Sequence, residues 1–512
     1  MTAADQSAAR RRELFSLLLR QEGLDASTSD RIGPADRSRP VPLSYAQQRL
    51  WVLDRLIARR SVYNAPLAYR LRGPLDVAAL RAAFTAAVAR HESLRTTFAV
   101  HDGNPVQVVG PPAAVPIDVT DLSTLPPDEA TARAVALAKA EAALPFDLER
   151  GPLLRVGLLS LAPDDHVLLL TMHHIVTDSW SLGVLYREVR ACYTAARDGG
   201  RADLPELAIQ YPDFAAWQRS PATRERLGAD LDHWVERLRG APQILTLPPD
   251  RPRPVVPEFN GAEHLFTVEE PTAAALSALA VDERTTMFVV LLAALKAQLA
   301  RHNGETDVVV GSPVAARDRV ELEPLVGFFI NSVNLRTDLS GDPSFTELVR
   351  RVRDTALDAF EHQEMPFDWL VDELAPVRQL SIHPLHQVSF QVSQQLTDSA
   401  PGLLLAPVEG GVGEHALTLP ELTIEAFPTG TGTNKFDLAM GFAPVPDGLI
   451  GRIEYSTDLY DAATVERFAR GLGTFLAAAA VKPDTRIAEL PAQSEQDRYQ
   501  VLVGWNDTDR SD

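Results

Sequence analysis

The chain of 512 residues contains one cysteine, Cys192. An intramolecular disulfide is therefore excluded, as is any metal or iron–sulfur centre built on several cysteines. Cys192 sits in a helix-like run, YREVRACYTAAR, beside no evident base, and reads as structural. Basic charge is also scarce. Forty-nine Lys and Arg face 69 Asp and Glu, a formal net charge of −20. Phosphate neutralisation needs a basic face, so nucleic-acid binding is not the main business of this chain, although a local basic patch is compatible with it. Long apolar runs are missing: no uncharged stretch reaches about eighteen residues, so no membrane span is expected and the cytoplasm is the default compartment. What is present, 45% hydrophobic and 23% charged residues with a mean hydropathy of −0.07, is the composition of a soluble globular protein. The length allows roughly two to four domains, or one large two-lobed unit.

The N-terminal RRRELFSLLLRQEGL reads as a short amphipathic helix, with Leu14, Leu17, Leu18 and Leu19 on one side. Asp25 to Pro42 is rich in Ser, Asp, Arg and Pro and reads as a linker, and globular patterning starts at Leu43. VYNAPLAYRLRG reads as a strand ending at Gly73, and Asp76 caps the alanine-rich helix VAALRAAFTAAVARH. DHVLLLTMHH reads as a buried strand, followed by a helix ending near Gly199. A Pro-rich break, Leu247 to Pro257, divides the chain into comparable halves. In the second half Thr272 is a candidate cap for AAALSALAVDE, MFVVLLAALKAQLARHNG is a long apolar helix, and TDVVVGSPVAAR is a buried strand. The tandem mixed halves suggest a pseudo-repeat. VEGGVG (408–413) and PTGTGTNKFD read as exposed loops, since neither fits a phosphate-cradling glycine pattern.

The chemistry-bearing stretch is Met172-His173-His174-Ile175-Val176-Thr177-Asp178-Ser179-Trp180-Ser181. Neighbours on a strand point to opposite faces, so His173 and His174 do not readily share a metal, and the HExxH spacing is absent. A histidine at a strand end is well placed as a base, while Asp178 is placed to cap the following helix or pair with a cation. Taken alone, the pair reads more readily as a core histidine beside a capping aspartate.

Its company changes that reading. The motif HHxxxDxxS (His173, His174, Asp178, Ser181) is accompanied by Leu43-Ser44-Tyr45-Ala46-Gln47-Gln48-Arg49-Leu50-Trp51 and by Arg90-His91-Glu92-Ser93-Leu94-Arg95-Thr96-Thr97-Phe98. Tyr211-Pro212-Asp213-Phe214-Ala215-Ala216-Trp217-Gln218 follows, then Val326-Gly327-Phe328-Phe329-Ile330-Asn331-Ser332, then His362-Gln363-Glu364-Met365-Pro366-Phe367-Asp368. A weaker segment is Arg378-Gln379-Leu380-Ser381, leading to Pro384-Leu385. In this order, from Leu43 to about Leu490, the chain resembles the condensation domain of non-ribosomal peptide synthetases. It departs from the pattern at Ser179 (usually Gly), Gln379 (usually Asp) and His386 (usually Phe), which bears on the turn after Asp178 and on substrate preference.

The resemblance implies an α/β (α+β) fold of two chloramphenicol-acetyltransferase-like lobes arranged as a V, with a tunnel between them. It implies an N-terminal helix and linker over 1–42, a lobe carrying HHxxxDxxS over 43–220, a second lobe with bridging loops over 221–490, and over 491–512 the start of a linker toward an adenylation domain. The chain would then be a piece of a larger synthetase active in secondary metabolism or antibiotic biosynthesis. The implied reaction is amide formation. A donor acyl or peptidyl group passes from a carrier-protein thioester to the amine of an aminoacyl acceptor on a second carrier. No metal or cofactor is expected on this chain, because the phosphopantetheine thioesters belong to the donor and acceptor carrier proteins; a monomer is expected.

By the same resemblance His174 is base or positioner of the amine, His173 supports the strand end, and Asp178 is structural and pairs with Arg317. Backbone N–H groups after His174 and the Ser181 hydroxyl are candidates to line the tunnel or stabilise charge, and Asn331 and Ser389 are candidate tunnel-lining residues. PTGTGTNKFDL, with Lys435 and Asp437, falls where the second lobe reaches across to the first. His362, His383 and His386 lack metal-ligand spacing and read as ordinary surface or core histidines; Trp51, Trp217 and Trp234 read as core aromatics, and Arg49 and Arg90 as structural.

Four alternatives carry their own signals. An epimerisation domain usually has Trp after the motif serine, where this chain has Leu182. A heterocyclisation domain has aspartate at the start of the motif. A catalytically silent partner-recruiting relative typically alters the second histidine, and a standalone acyltransferase differs in its acceptor. Met172 precedes the pair, so the third adjacent histidine of β-lactam-forming relatives is absent. The pattern most resembles domains joining an L-donor to an L-acceptor, and relatives that form dehydroamino acids or other modified residues share much of it.

Overall fold

The computed structural model describes residues 31–245, 247–374, 379–393, 417–491, 493, 499 and 502. The RRRELFSLLLRQEGL segment, Arg378, the stretch 408–413 and most of 491–512 lie outside the described residues.

The first half runs β1 (Val41–Pro42), α1 (Tyr45–Leu56), β2 (Asn64–Arg72), α2 (Val77–Arg90), β3 (Thr96–His101), β4 (Asn104–Val109), β5 (Ile117–Asp121) and α3 (Pro127–Ala143). It continues through β6 (Leu154–Ala162), β7 (Asp165–His173), α4 (Ser179–Arg197), α5 (Tyr211–Gln218) and α6 (Pro221–Leu238). The second half begins with β8 (Gly261–Glu269), α7 (Glu270–Asp282), α8 (Met287–Asn303), β9 (Asp307–Val314), β10 (Asn331–Asp338), α9 (Phe345–Glu361) and α10 (Phe367–Leu374). It ends with β11 (Val388–Val392), β12 (Leu417–Leu419), β13 (Leu422–Ala426), β14 (Leu438–Val445), β15 (Gly448–Ser456) and α11 (Ala462–Val481).

Two six-stranded mixed sheets organise these elements, in the orders β12-β13-β2-β7-β6-β5 and β10-β9-β11-β14-β15-β8; β1, β4 and β3 form a small third sheet. The apolar run of β7 is explained by its place. It lies between β2 and β6 and is buried from His166 to His173, so both of its faces need apolar cover. Helix α8 is buried at every position from Val289 to Leu299, which is why its sequence shows no polar face. Asp76 caps α2, accepting from Ala79 N at 2.9 Å. Helix α7 starts at Glu270, earlier than a Thr272 cap would have it, because Pro271 sits at the first turn, where its missing N–H costs nothing.

The halves are interleaved. Strand β13 pairs antiparallel with β2, Thr423 opposite Arg72 and Ala426 opposite Tyr69, so a segment from late in the chain completes the first sheet. The following segment, expected to be an exposed loop, is instead partly buried, with Asn434 and Asp437 both 5% exposed. The physical reason is its polar anchoring. Arg59 donates to Thr431 O (3.2 Å) and to Asn260 Oδ1 (2.6 Å), and Asp437 pairs with Arg253. Separate apolar clusters lie in the two halves, one around Phe84, Leu158, Met172 and Tyr193 and the other around Leu291, Leu295, Phe390 and Phe475. Among the described residues no helix is long and apolar enough to cross a membrane.

Candidate active site

Strand β7 ends at His173, and the chain turns through His174–Val176 before Asp178 caps α4. The sequence encodes this turn locally. Asp178 Oδ1 accepts from Ser181 N (2.8 Å) and Ser181 Oγ (2.7 Å), closing the helix start.

His173 is 1% exposed and faces the ring of Phe146 edge-on. Its Nδ1 accepts from Ile175 N at 3.1 Å. Burial, helped by the charges of Lys435 and Arg60, pushes its pKa down to about 3. His174, the first residue of the turn, lines a cavity of about 1330 Å³, whereas His173 does not. Desolvation holds its pKa well below the ordinary histidine value, with Lys435 and His173 adding to the effect and the Thr177 backbone opposing it. His174 is therefore a neutral imidazole, able to accept a hydrogen bond at physiological pH.

The cavity draws on both halves. Arg49, Tyr63 and His174 come from the first; His386, Ser389 and Lys435 come from the second. Lys435 Nζ lies 5.2 Å from the centre of the Tyr63 ring, and burial lowers its pKa to about 8. His386 is buried, bonds Asn334 through Nδ1 (2.8 Å) and stacks on Phe436. His383 packs in the same cluster, and burial pushes its pKa down to about 4. Arg49 lies over the Phe367 ring at 5.3 Å.

The sequence motifs converge behind this wall. Arg317 and Asp178 meet at 3.1 Å with both side chains 1% exposed. Arg317 also donates to Ser181 Oγ (2.9 Å) and to the carbonyls of Leu322 (2.6 Å) and Leu325 (2.8 Å). Phe329 N donates to Asp178 Oδ2 at 3.0 Å, tying the VGFFINS segment to the turn. Gln47 Nε2 donates to Ile175 O at 3.2 Å, and the Tyr211 hydroxyl joins Ser44 Oγ (2.8 Å) to Phe328 O (2.5 Å). Arg90 and His91 both pair with Glu188 at 2.9 Å, while Ser93 Oγ donates to Val326 O at 2.6 Å. These residues brace the turn that carries His174.

Two expected lining residues stand elsewhere. Ser181 is fully buried and spends its hydroxyl on Asp178 and Gly327 O (2.8 Å), so it cannot face the cavity. Asn331 uses its amide to hold the HQEMPFD segment, donating to Gln363 O (2.8 Å) and Met365 O (2.6 Å) and accepting from Phe367 N (3.1 Å). Ser389 does line the cavity, beside His386. Lys435 was legible only as part of a bridging loop, because its neighbours Tyr63 and His173 are distant in sequence.

Residues 37–502 match the condensation-domain family model, and the chain belongs to that family. More particularly, its relatives are components of non-ribosomal peptide synthetases that make antibiotics and other secondary metabolites. It is 44% identical over 498 residues to one of the linear gramicidin synthase proteins of Brevibacillus parabrevis, a match that covers 97% of this chain and 6% of that protein. The chain thus spans a small part of the curated relatives it matches. Among solved structures it is similar to the X-domain from teicoplanin biosynthesis, with 31% identity, a TM-score of 0.80, and coverage of 90% of this chain and 99% of that one. The same X-domain in complex with OxyB aligns at 30% identity and a TM-score of 0.78, covering 91% of this chain and 98% of that one. The first condensation domain of the calcium-dependent antibiotic synthetase shares the fold at 21% identity, with a TM-score of 0.72 and coverage of 89% and 100%.

Proposed function

We propose that this domain forms peptide bonds between two carrier-bound substrates. The observation that carries the reading is His174, a neutral imidazole on the wall of a large cavity, at the end of an intact and braced HHxxxDxxS turn. Two lobes, 43–220 and 221–490, form a V whose cleft is this cavity, open as a tunnel to a donor carrier on one side and an acceptor carrier on the other. Their phosphopantetheine arms bring the thioester and the amine together, and this chain supplies no cofactor. The parent protein is a cytoplasmic synthetase with an adenylation domain downstream, and the domain acts as a monomer within it.

In the reaction the acceptor nitrogen attacks the donor carbonyl carbon, the new C–N bond forms, the C–S bond breaks, and the thiolate leaves. One amine proton ends on that sulfur. A histidine with so low a pKa is a poor base toward a free ammonium group. It is a good acceptor for an N–H of the neutral amine, which orients the lone pair toward the carbonyl, and it then relays the proton to sulfur. Most of the acceleration comes from holding two tethered substrates in reacting geometry. Lys435, one of the cations lining the same cavity, favours negative charge on the carbonyl oxygen of the tetrahedral intermediate.

The test is His174→Ala with loaded donor and acceptor carriers, amide product being read by intact-mass spectrometry. A loss of about 10²–10⁴-fold is expected. Undiminished product refutes the role of His174. A second reading, a silent domain that recruits a partner, is favoured by the likeness to an X-domain that has been solved with OxyB. It predicts partner binding with no amide product from the unaltered domain. Epimerisation and formation of dehydroamino acids or other modified residues are distinguished in the same assay by product stereochemistry and mass.

A further inference from the structure

Away from the cavity, α6 and the C-terminal end of α9 bring His233, Asp358 and His362 together, each with a ligand atom within 4.8 Å of the others. Asp358 and His362 come from one turn, and His233 comes from the facing helix. His233 Nε2 is sealed from solvent and makes no hydrogen bond. It lies 3.4 Å from Asp358 Oδ2, out of line for a hydrogen bond. Two ligands of a tetrahedral zinc ion stand about 3.3 Å apart, given bonds near 2.0–2.1 Å, so this pair already has that spacing. The imidazoles of His233 and His362 lie against each other with centroids 3.9 Å apart. His362 Nδ1 bonds Asp230 Oδ1 at 2.7 Å, which leaves Nε2 with the free lone pair. A carboxylate behind a histidine in this way fixes the tautomer and raises the basicity of the ligating nitrogen.

We infer that His233, Asp358 and His362 form a binding site for a divalent transition metal of the zinc class, with Asp230 orienting His362 and the ion clipping α6 to α9. Two imidazoles and one carboxylate suit zinc, cobalt and nickel better than magnesium or calcium, which prefer all-oxygen shells. Arg237 Nε also lies 3.4 Å from Asp358 Oδ2 and must yield part of that contact when the ion enters. Water fills the fourth position, because the cluster is about one-third exposed on its outer side. The site plays no part in the proposed condensation chemistry, since none of its residues lines the cavity.

The test uses the untagged, metal-free domain titrated with zinc chloride by calorimetry and with cobalt chloride by visible absorption. One zinc per chain, and cobalt bands of tetrahedral intensity, are the expected results. His233→Ala and His362→Ala should each abolish the zinc isotherm, and Asp230→Asn should weaken it by about tenfold or more. Metal-free circular dichroism and urea midpoints check that the variants fold; if one does not, the cobalt spectrum of the unaltered domain decides alone. No heat and no cobalt bands would overturn the inference and leave two ordinary His–Asp ion pairs. Binding that survives both histidine substitutions would overturn it equally, as an adventitious ion only.

Discussion

Replacing Arg317 by Ala leaves Asp178 as a carboxylate in a site where both partners are 1% exposed. Three of its hydrogen bonds survive, from Ser181 N, Ser181 Oγ and Phe329 N, but the compensating cation is gone. The carbonyls of Leu322 and Leu325 lose their donor, and the Phe329 ring loses the guanidinium that lies 4.0 Å over it. Breaking a buried pair on one side costs about 3–5 kcal/mol. Typical total stabilities are about 5–15 kcal/mol, so the loss is large enough to measure. Urea unfolding followed by near-ultraviolet circular dichroism should show it as a lower midpoint. Arg317→Lys should recover little, because an ammonium cannot reach Asp178 and two carbonyls with one planar fork. The double variant Asp178→Asn/Arg317→Met should be more stable than the sum of its single variants implies, by about 2 kcal/mol, since the uncompensated charge is removed as well. A loss below about 1 kcal/mol for Arg317→Ala, or strict additivity in the cycle, refutes the argument that this pair is a buried brace.

Further outcomes follow from the same geometry. Gly327→Ala should destabilise the domain by about 1–3 kcal/mol, because a Cβ there collides with the Tyr211 ring, and thermal unfolding checks it. Lys435→Met removes a cation that lowers the pKa of His174; the pKa rises, and the acidic limb of the rate profile moves to higher pH, whereas an unmoved limb would exclude electrostatic contact between them. His173 and His383, with pKa values near 3 and 4, stay neutral in the folded state while the unfolded chain takes up protons below about pH 6.5. Their stabilisation is complete above that pH and is lost as pH falls toward 4, at about 1.4 kcal/mol per pH unit for each histidine. Urea midpoints that stay constant from pH 6.5 to 4.5 would contradict it.

Much of the site was legible because its local chemistry is written in short segments. A strand-end histidine pair, a helix-capping aspartate three residues before a serine, and an apolar run long enough for a two-sided central strand are properties of contiguous residues. The fates of Ser181 and Asn331 were not legible in this way. Whether a hydroxyl or amide faces a cavity or a carbonyl depends on which loop crosses it, and Gly327 O and the Gln363–Met365 segment lie far away in sequence.

The sequence by itself determined the family, the order of the motifs, the mixed α/β character and the turn that presents His174, because periodicity, capping and motif spacing act over a few residues. Only the tertiary structure decided which distant groups meet. It set Lys435 beside Tyr63, fed β13 into the first sheet, buried the PTGTGTNKFD segment, and gathered His233, Asp358 and His362 across two helices. Such contacts arise from packing two sheets and their helices to exclude water, and no local pattern encodes which side chains that packing will bring together.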